Sequence, residues 1–119
     1  MEVEKFLINE ESTMIEAMQQ LDKVAMKVLF VEKNDMLLAS ITDGDIRRWI
    51  LKKGDLDAKV KDIANYNPKF LSIDEKYLAK EFMRQNSIEA LPILNSSLKI
   101  VTIVFTNAEE PIVSKNLEI

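Results

Sequence analysis

The chain has 119 residues, 47% of them hydrophobic and 30% charged, with 16 basic against 20 acidic side chains and a net charge of −4. That is the size of one domain and the composition of a globular protein. With no cysteine and no histidine, disulfides, thiolate or His-ligated metal sites and the Ser-His-Asp and Cys-His triads are excluded.

In chain order, residues 3–8 hold a short apolar segment (Val3, Phe6, Leu7, Ile8). Ser12 or Thr13 then caps a predicted helix whose apolar face is Ile15, Met18 and Leu21, with Met14 and Ala17 as further candidates. A β-rich run over 28–31 leads through the turn Lys33-Asn34-Asp35 to a strand over 36–41. A helix from Asp43 to about Lys53 follows, with Gly54 as its C′ residue. Residues 55–69 form a bridge containing the turn signal Asn67-Pro68. Phe70 to Ile73 then repeats the apolar opening, and Asp74 caps a helix with Leu78, Phe82 and Met83 inward. Leu91-Pro92-Ile93-Leu94, the turn Asn95-Ser96-Ser97 and a strand from Leu98 to Phe105 repeat the hairpin.

The plan therefore occurs twice, and a repeat constrains the fold strongly. A shift of 63 residues superposes 28–31 on 91–94 and 38–42 on 101–105, while the helices fit better at 64, implying a one-residue insertion near Lys23. The predicted fold class is α+β: two β-α-β-β-α units of roughly 60 residues, each too small to bury a good core alone and so packed together.

The chemistry concentrates in Thr42-Asp43-Gly44-Asp45-Ile46-Arg47-Arg48, where a strand meets a helix. Thr42 and Asp45 have the spacing of a capping box, with Asp in place of Glu at N3. The same pair suits a nucleotide: a hydroxyl to donate to phosphate, a carboxylate to accept from ribose, and a helix N-terminus that attracts anions. Two glycines, Gly44 and Gly54, cannot make a P-loop or a dinucleotide fingerprint. The carboxylate pairs Asp43/Asp45, Asp55/Asp57 and Glu109/Glu110 read as solvated helix starts rather than acid–base dyads. No catalytic residues and no metal site are expected.

The chain resembles a tandem pair of cystathionine-β-synthase (CBS) domains, the adenosine-nucleotide-sensing module, over nearly its whole length. The motifs are Leu38-Ala39-Ser40-Ile41-Thr42-Asp43-Gly44-Asp45 and Ile88-Glu89-Ala90-Leu91-Pro92-Ile93-Leu94. Ala39 stands where the family usually has Gly, a mild departure. The string from Thr42 to Arg48, with Lys61-Asp62-Ile63 and Asn67-Pro68 downstream, looks like CBS pairs preceding bacterial sugar-phosphate nucleotidyltransferases. A similar run occurs in pairs that follow sugar-phosphate isomerase domains; Phe105 favours the nucleotidyltransferase kind.

The resemblance implies two units about a pseudo-twofold axis: unit 1 over 1–54, a cleft-lining linker over 55–69, unit 2 over 70–108 and a tail over 109–119 leading to a catalytic domain. Carried over residue by residue, Thr42 would hold phosphate or ribose and Asp45 the ribose hydroxyls. Ile63, Tyr66 and Pro68, with Ile88 and Ala90, would wall the base. Arg47, Arg48 and Lys69 are candidate phosphate cations. The plainer readings are ordinary core for the apolar set and a solvated helix face for the arginines. Phe105 and Ala108 match Thr42 and Asp45 in the second cleft and cannot do the polar work, so that cleft is expected to be dead.

The module implied is regulatory and not itself an enzyme. It requires no cofactor, takes AMP, ADP or ATP as ligand in one inter-unit cleft, and modulates a linked nucleotidyltransferase. The alternative is a degenerate pair that only dimerises. A homodimer is expected, with Trp49 or Leu51 in the contact, because Trp49, Ile50 and Leu51 cannot all face one core. The acidic balance speaks against nucleic acid as partner. No apolar run reaches the roughly 18 residues of a membrane span and the N-terminus has no leader pattern, so a cytoplasmic location is expected.

Overall fold

The computed structural model describes residues 3–24 and 27–106. They divide into two units: Lys5–Pro68, and residues 3–4 with 69–106. A 3₁₀ turn, Val3–Phe6, begins the described chain.

In the first unit a three-stranded sheet has the order β1 (Leu7–Ile8), β2 (Val28–Lys33), β3 (Met36–Thr42). β1 runs parallel to β2, with Leu7 opposite Phe30, and β2 runs antiparallel to β3, with Leu29 opposite Ile41. The β2–β3 link is a two-residue loop, Asn34 and Asp35, at φ +55° and +70°. This is the left-handed pair that a twisted hairpin needs and that Asn and Asp tolerate.

Helix α1 (Met14–Leu21) starts on Thr13 rather than Ser12: Thr13 Oγ1 accepts from the Glu16 N–H at 3.0 Å, and the Thr13 N–H donates to Glu16 Oε1 at 2.9 Å. Its buried residues are Met14, Ala17 and Leu21. Ile15 and Met18, expected inward, are 44% and 40% exposed. The eight-residue helix carries two overlapping apolar stripes, and the buried one is Met14, Ala17 and Leu21, whose i, i+3, i+7 spacing keeps all three on one narrow face. Helix α2 (Asp43–Lys52) ends as expected, with Gly54 at φ +71°.

The stretch from Gly54 to Pro68 falls within the first unit. It contains a one-turn helix α3 (Val60–Ile63) and is bonded back onto its own unit. The Met14 N–H donates to Ala58 O at 2.9 Å, and the Val60 N–H to Ser12 O at 2.8 Å. Ser40 and Asn65 exchange N–H···O bonds of 2.9 and 2.8 Å along β3. Glu11 takes Lys59 and Lys61 at 3.2 and 3.1 Å, and these ammonium groups hold its carboxyl below the usual range.

The second unit has the sheet order β4 (Leu71–Ser72), β5 (Ala90–Leu94), β6 (Ile100–Phe105). β4 is parallel to β5 and β5 antiparallel to β6. Ser72, not Asp74, is the N-cap of a 3₁₀ turn, Ile73–Leu78, that continues into helix α4 (Ala79–Asn86). Its N–H reaches Glu75 Oε1 at 3.4 Å. The buried face is Ala79 and Met83; Leu78 is exposed and Phe82 half-buried. Leu71, Ala79, Met83, Leu91 and Ile93 form the core, with Phe82, Ile88 and Val104 against it. Fully burying each of the large ones is worth about 1.5–3 kcal/mol. The expected strand start at Leu98 moves to Ile100. Asn95 takes the N–H groups of Ser97 and Lys99 on Oδ1 and that of Leu98 on its carbonyl, which keeps Leu98 in the turn at φ +67°.

The two ladders share a bulge that fixes their correspondence. It falls after the pairs Val31↔Ala39 and Ile93↔Thr102, offsets of 62 and 63 residues. Thr42 thus corresponds to Phe105 as expected, whereas 28–31 corresponds to 90–93, one residue earlier than the sequence pattern suggested. The buried pairs Ala17/Leu21 and Ala79/Met83 also lie 62 apart, not 64. Among the described residues no helix is long and apolar enough to cross a membrane. The helix expected to close the second unit, with Ala108, Glu109, Glu110 and the tail over 111–119, lies outside the described residues.

Candidate functional site

The expected polar pair stands where β3 runs into α2. Thr42 is the last residue of the strand and the N-cap of the helix, with an extended backbone (φ −121°, ψ 167°). Its Oγ1 accepts from the Asp45 N–H at 3.1 Å, and its N–H donates to Asp45 Oδ2 at 3.0 Å. Both arms of a capping box are therefore made. Asp45 Oδ1 accepts a further bond from Arg48 Nη2 at 2.8 Å. The box and Arg48 take one oxygen each of this carboxylate, of which only the box is needed for the cap, and the Thr42 hydroxyl hydrogen is not consumed by the box. Capping and ligand contact are compatible on the same two side chains.

Arg47 and Arg48 are exposed, yet both reach back along α2 to its first turn. A methyl group on Gly44 would stand 3.3 Å from Arg48 Nη1 and 3.8 Å from Arg47 Nη2. The bare Cα of Gly44 leaves the space that the two guanidinium groups border. Sequence reasoning missed this role; its signal is a glycine four residues before Arg48, on the same helix face.

The other expected residues of the first unit lie along the bonded-back stretch. Ile63 ends α3 and Pro68 follows the Asn67 turn; both are half-buried. The Ser40–Asn65 bonds hold the chain just before Tyr66 against β3, two residues from Thr42. The Tyr66 hydroxyl donates to Glu10 Oε2 at 2.8 Å; burial, then this carboxylate, push the phenol up to about 12. Tyr66 is thus a neutral donor, already engaged by Glu10, and the residue is 47% exposed.

In the second unit Lys69 is exposed, Ile88 packs on the core cluster and Ala90 opens β5 opposite Phe105. Phe105 is buried. On α2 the Trp49 indole donates to Asp55 O at 2.8 Å, whereas Leu51 is 77% exposed. A separate hollow of about 390 Å³ in the first unit is lined by Ile15, Met18, Gln19, Asp22, Lys27 and Asp43, and none of the expected site residues reaches it. Among the described residues, no group of three or more carboxylates is placed to hold a metal.

This architecture is the fold of CBS-domain proteins. A CBS domain protein from Pyrobaculum aerophilum, complexed with AMP, superposes with a TM-score of 0.67 at 24% identity over 83% of this chain and 78% of that one. The cytosolic domain of the Mg2+ channel MgtE in complex with ATP gives 0.68 at 18% identity, over 85% of this chain and 42% of that one. In sequence, the chain is 36% identical over 83 residues to a probable arabinose 5-phosphate isomerase of Haemophilus influenzae, a match over 66% of this chain. No protein-family model matches the chain. The chain spans 24% of the length of the curated relatives it matches.

Proposed function

We propose that this chain is a regulatory CBS pair that binds one adenosine nucleotide and tunes a linked enzyme without being catalytic itself. The carrying observation is the Thr42–Asp45 pair, a hydroxyl and a carboxylate held side by side at a strand–helix junction with two guanidinium groups bordering the same turn. Such a set matches a ribose phosphate: acceptor for the diol, donors for the phosphate. The AMP and ATP complexes of the two structural neighbours support an adenine nucleotide as the ligand class. In this proposal Ile63, Tyr66, Pro68, Ile88 and Ala90 flank the base and Lys69 assists the phosphate. Phe105, in place of Thr42, limits the chain to one site.

The linked enzyme handles a sugar phosphate. The sequence motifs favour a nucleotidyltransferase, and the isomerase relative favours an isomerase. The module dimerises in this reading through the exposed Leu51, since the Trp49 indole is bonded within its own unit.

Titration calorimetry with AMP, ADP and ATP tests it. One nucleotide per chain is expected; two equivalent sites would end the asymmetric reading. No heat with any of the three leaves the degenerate, purely structural pair. Light scattering on the same sample should give about twice the 13.7 kDa chain mass, with Leu51→Ser returning the monomer.

A further inference from the structure

The carboxylate proposed for ribose already has a cation on it. Asp45 Oδ1 accepts from Arg48 Nη2 at 2.8 Å, while Oδ2 is committed to the Thr42 N–H. Only the first bond can be given up without unmaking the cap, because the Thr42 N–H is backbone at a helix start. The Arg48 side chain is 63% exposed against 20% for Asp45, so the guanidinium lies on the solvent side of the carboxylate. A diol approaching Oδ1 from solvent meets Arg48 first. Most of the Arg48 side chain faces solvent, and on its Gly44 side no side chain stands: a methyl carbon there would lie 3.3 Å from Nη1.

Resting on the nucleotide reading above, we propose that Arg48 is a specificity-determining residue, covering Asp45 until a ligand brings both a ribose diol and a phosphate. The diol takes the acceptor that Arg48 leaves, and the phosphate takes the guanidinium so released. A nucleoside without phosphate displaces the same ion pair and offers the guanidinium nothing. The site therefore discriminates phosphorylated from unphosphorylated nucleosides twice, once by attraction and once by the uncompensated release of Arg48. An exposed ion pair is weak, so its release costs a ligand only a small factor in affinity. A charge-assisted bond to phosphate is stronger.

The test compares adenosine and AMP on wild type, Arg48→Ala and Arg48→Gln by titration calorimetry, with circular dichroism to check folding. Truncating an exposed helix residue to Ala leaves the fold intact, and the Gln variant keeps a neutral donor if it does not. Arg48→Ala is expected to bind AMP about tenfold more weakly and adenosine about two- to fivefold more tightly, the factor an exposed ion pair is worth. Arg48→Gln should fall between. Arg48→Ala that weakens AMP but leaves adenosine unchanged, or weakens both alike, overturns the cover and leaves the nucleotide reading standing. No binding of either ligand to wild type overturns the nucleotide reading itself, and this inference with it.

Discussion

Asp45 belongs to the fold before it belongs to any ligand, and Asp45→Ala measures how much. The substitution leaves the half-buried Thr42 N–H without the charged acceptor it reaches at 3.0 Å. Water partly replaces that acceptor, so the loss is about 1 kcal/mol. The Arg48 pair, with a 63% exposed guanidinium, adds only about 0.3 kcal/mol, and the lost anion at the helix start about 0.5 kcal/mol. Ala returns about 0.5 kcal/mol of helix propensity. The net cost is roughly 1–1.5 kcal/mol, or about 3–6 °C in Tm for a chain of this size. Asp45→Asn keeps an oxygen for the Thr42 N–H and should cost about half as much. Thr42→Ala removes the opposite arm at about 1 kcal/mol. Because each arm positions the other, the double variant should cost measurably less than the two singles added. Urea unfolding followed by circular dichroism reads all four, without nucleotide present. If Asp45→Ala unfolds within 0.3 kcal/mol of wild type, or Asn costs as much as Ala, the capping box is not what stabilises this junction.

Two further predictions are independent of any ligand. Leu98, held at φ +67° and 53% exposed, has little apolar contact to lose, so Leu98→Gly should raise stability by about 0.5–1 kcal/mol in the same urea assay. Tyr66, with its phenol pushed up to about 12 against the usual 10, keeps its proton in the folded chain after the unfolded chain has lost it. Its stabilisation is therefore complete below pH 10 and is lost between pH 10 and 12. Tyr66→Phe should flatten that decline, and the phenolate absorbance of wild type minus the variant should titrate near 12.

The sequence was most legible where one residue dictates backbone geometry. Lys33-Asn34-Asp35 reads as a hairpin turn, of which Lys33 proves to be the last strand residue, and Gly54 reads as a helix terminator, because few residues tolerate the φ of Asn34, Asp35 and Gly54. It was least legible on short helices, where a few apolar residues fit more than one face. Met14/Ala17/Leu21 has the tighter i, i+3, i+7 spacing and is the buried stripe, whereas Ile15/Met18/Leu21 spreads over a wider arc and leaves Ile15 and Met18 exposed. Asn95 delayed β6 through side-chain and backbone bonds that no apolar pattern records. At the candidate site the spacing of Thr42 and Asp45 offered a cap and a ligand contact as alternatives; the structure makes the cap. The Arg48–Asp45 bond and the Tyr66–Glu10 bond were not read. The first has an i, i+3 signal, whereas the second joins residues 56 apart and has none.

The bonds between Ser40 and Asn65 bear on how this module can be moved between proteins. β3 is an outer strand of its sheet, and an outer strand with free amide and carbonyl groups recruits strands from other chains. Here the chain's own residue 65 occupies the groups of Ser40. A graft cut after the helix terminator at Gly54 would carry the sheet away without its cover and invite aggregation. One cut after Pro68 would carry both.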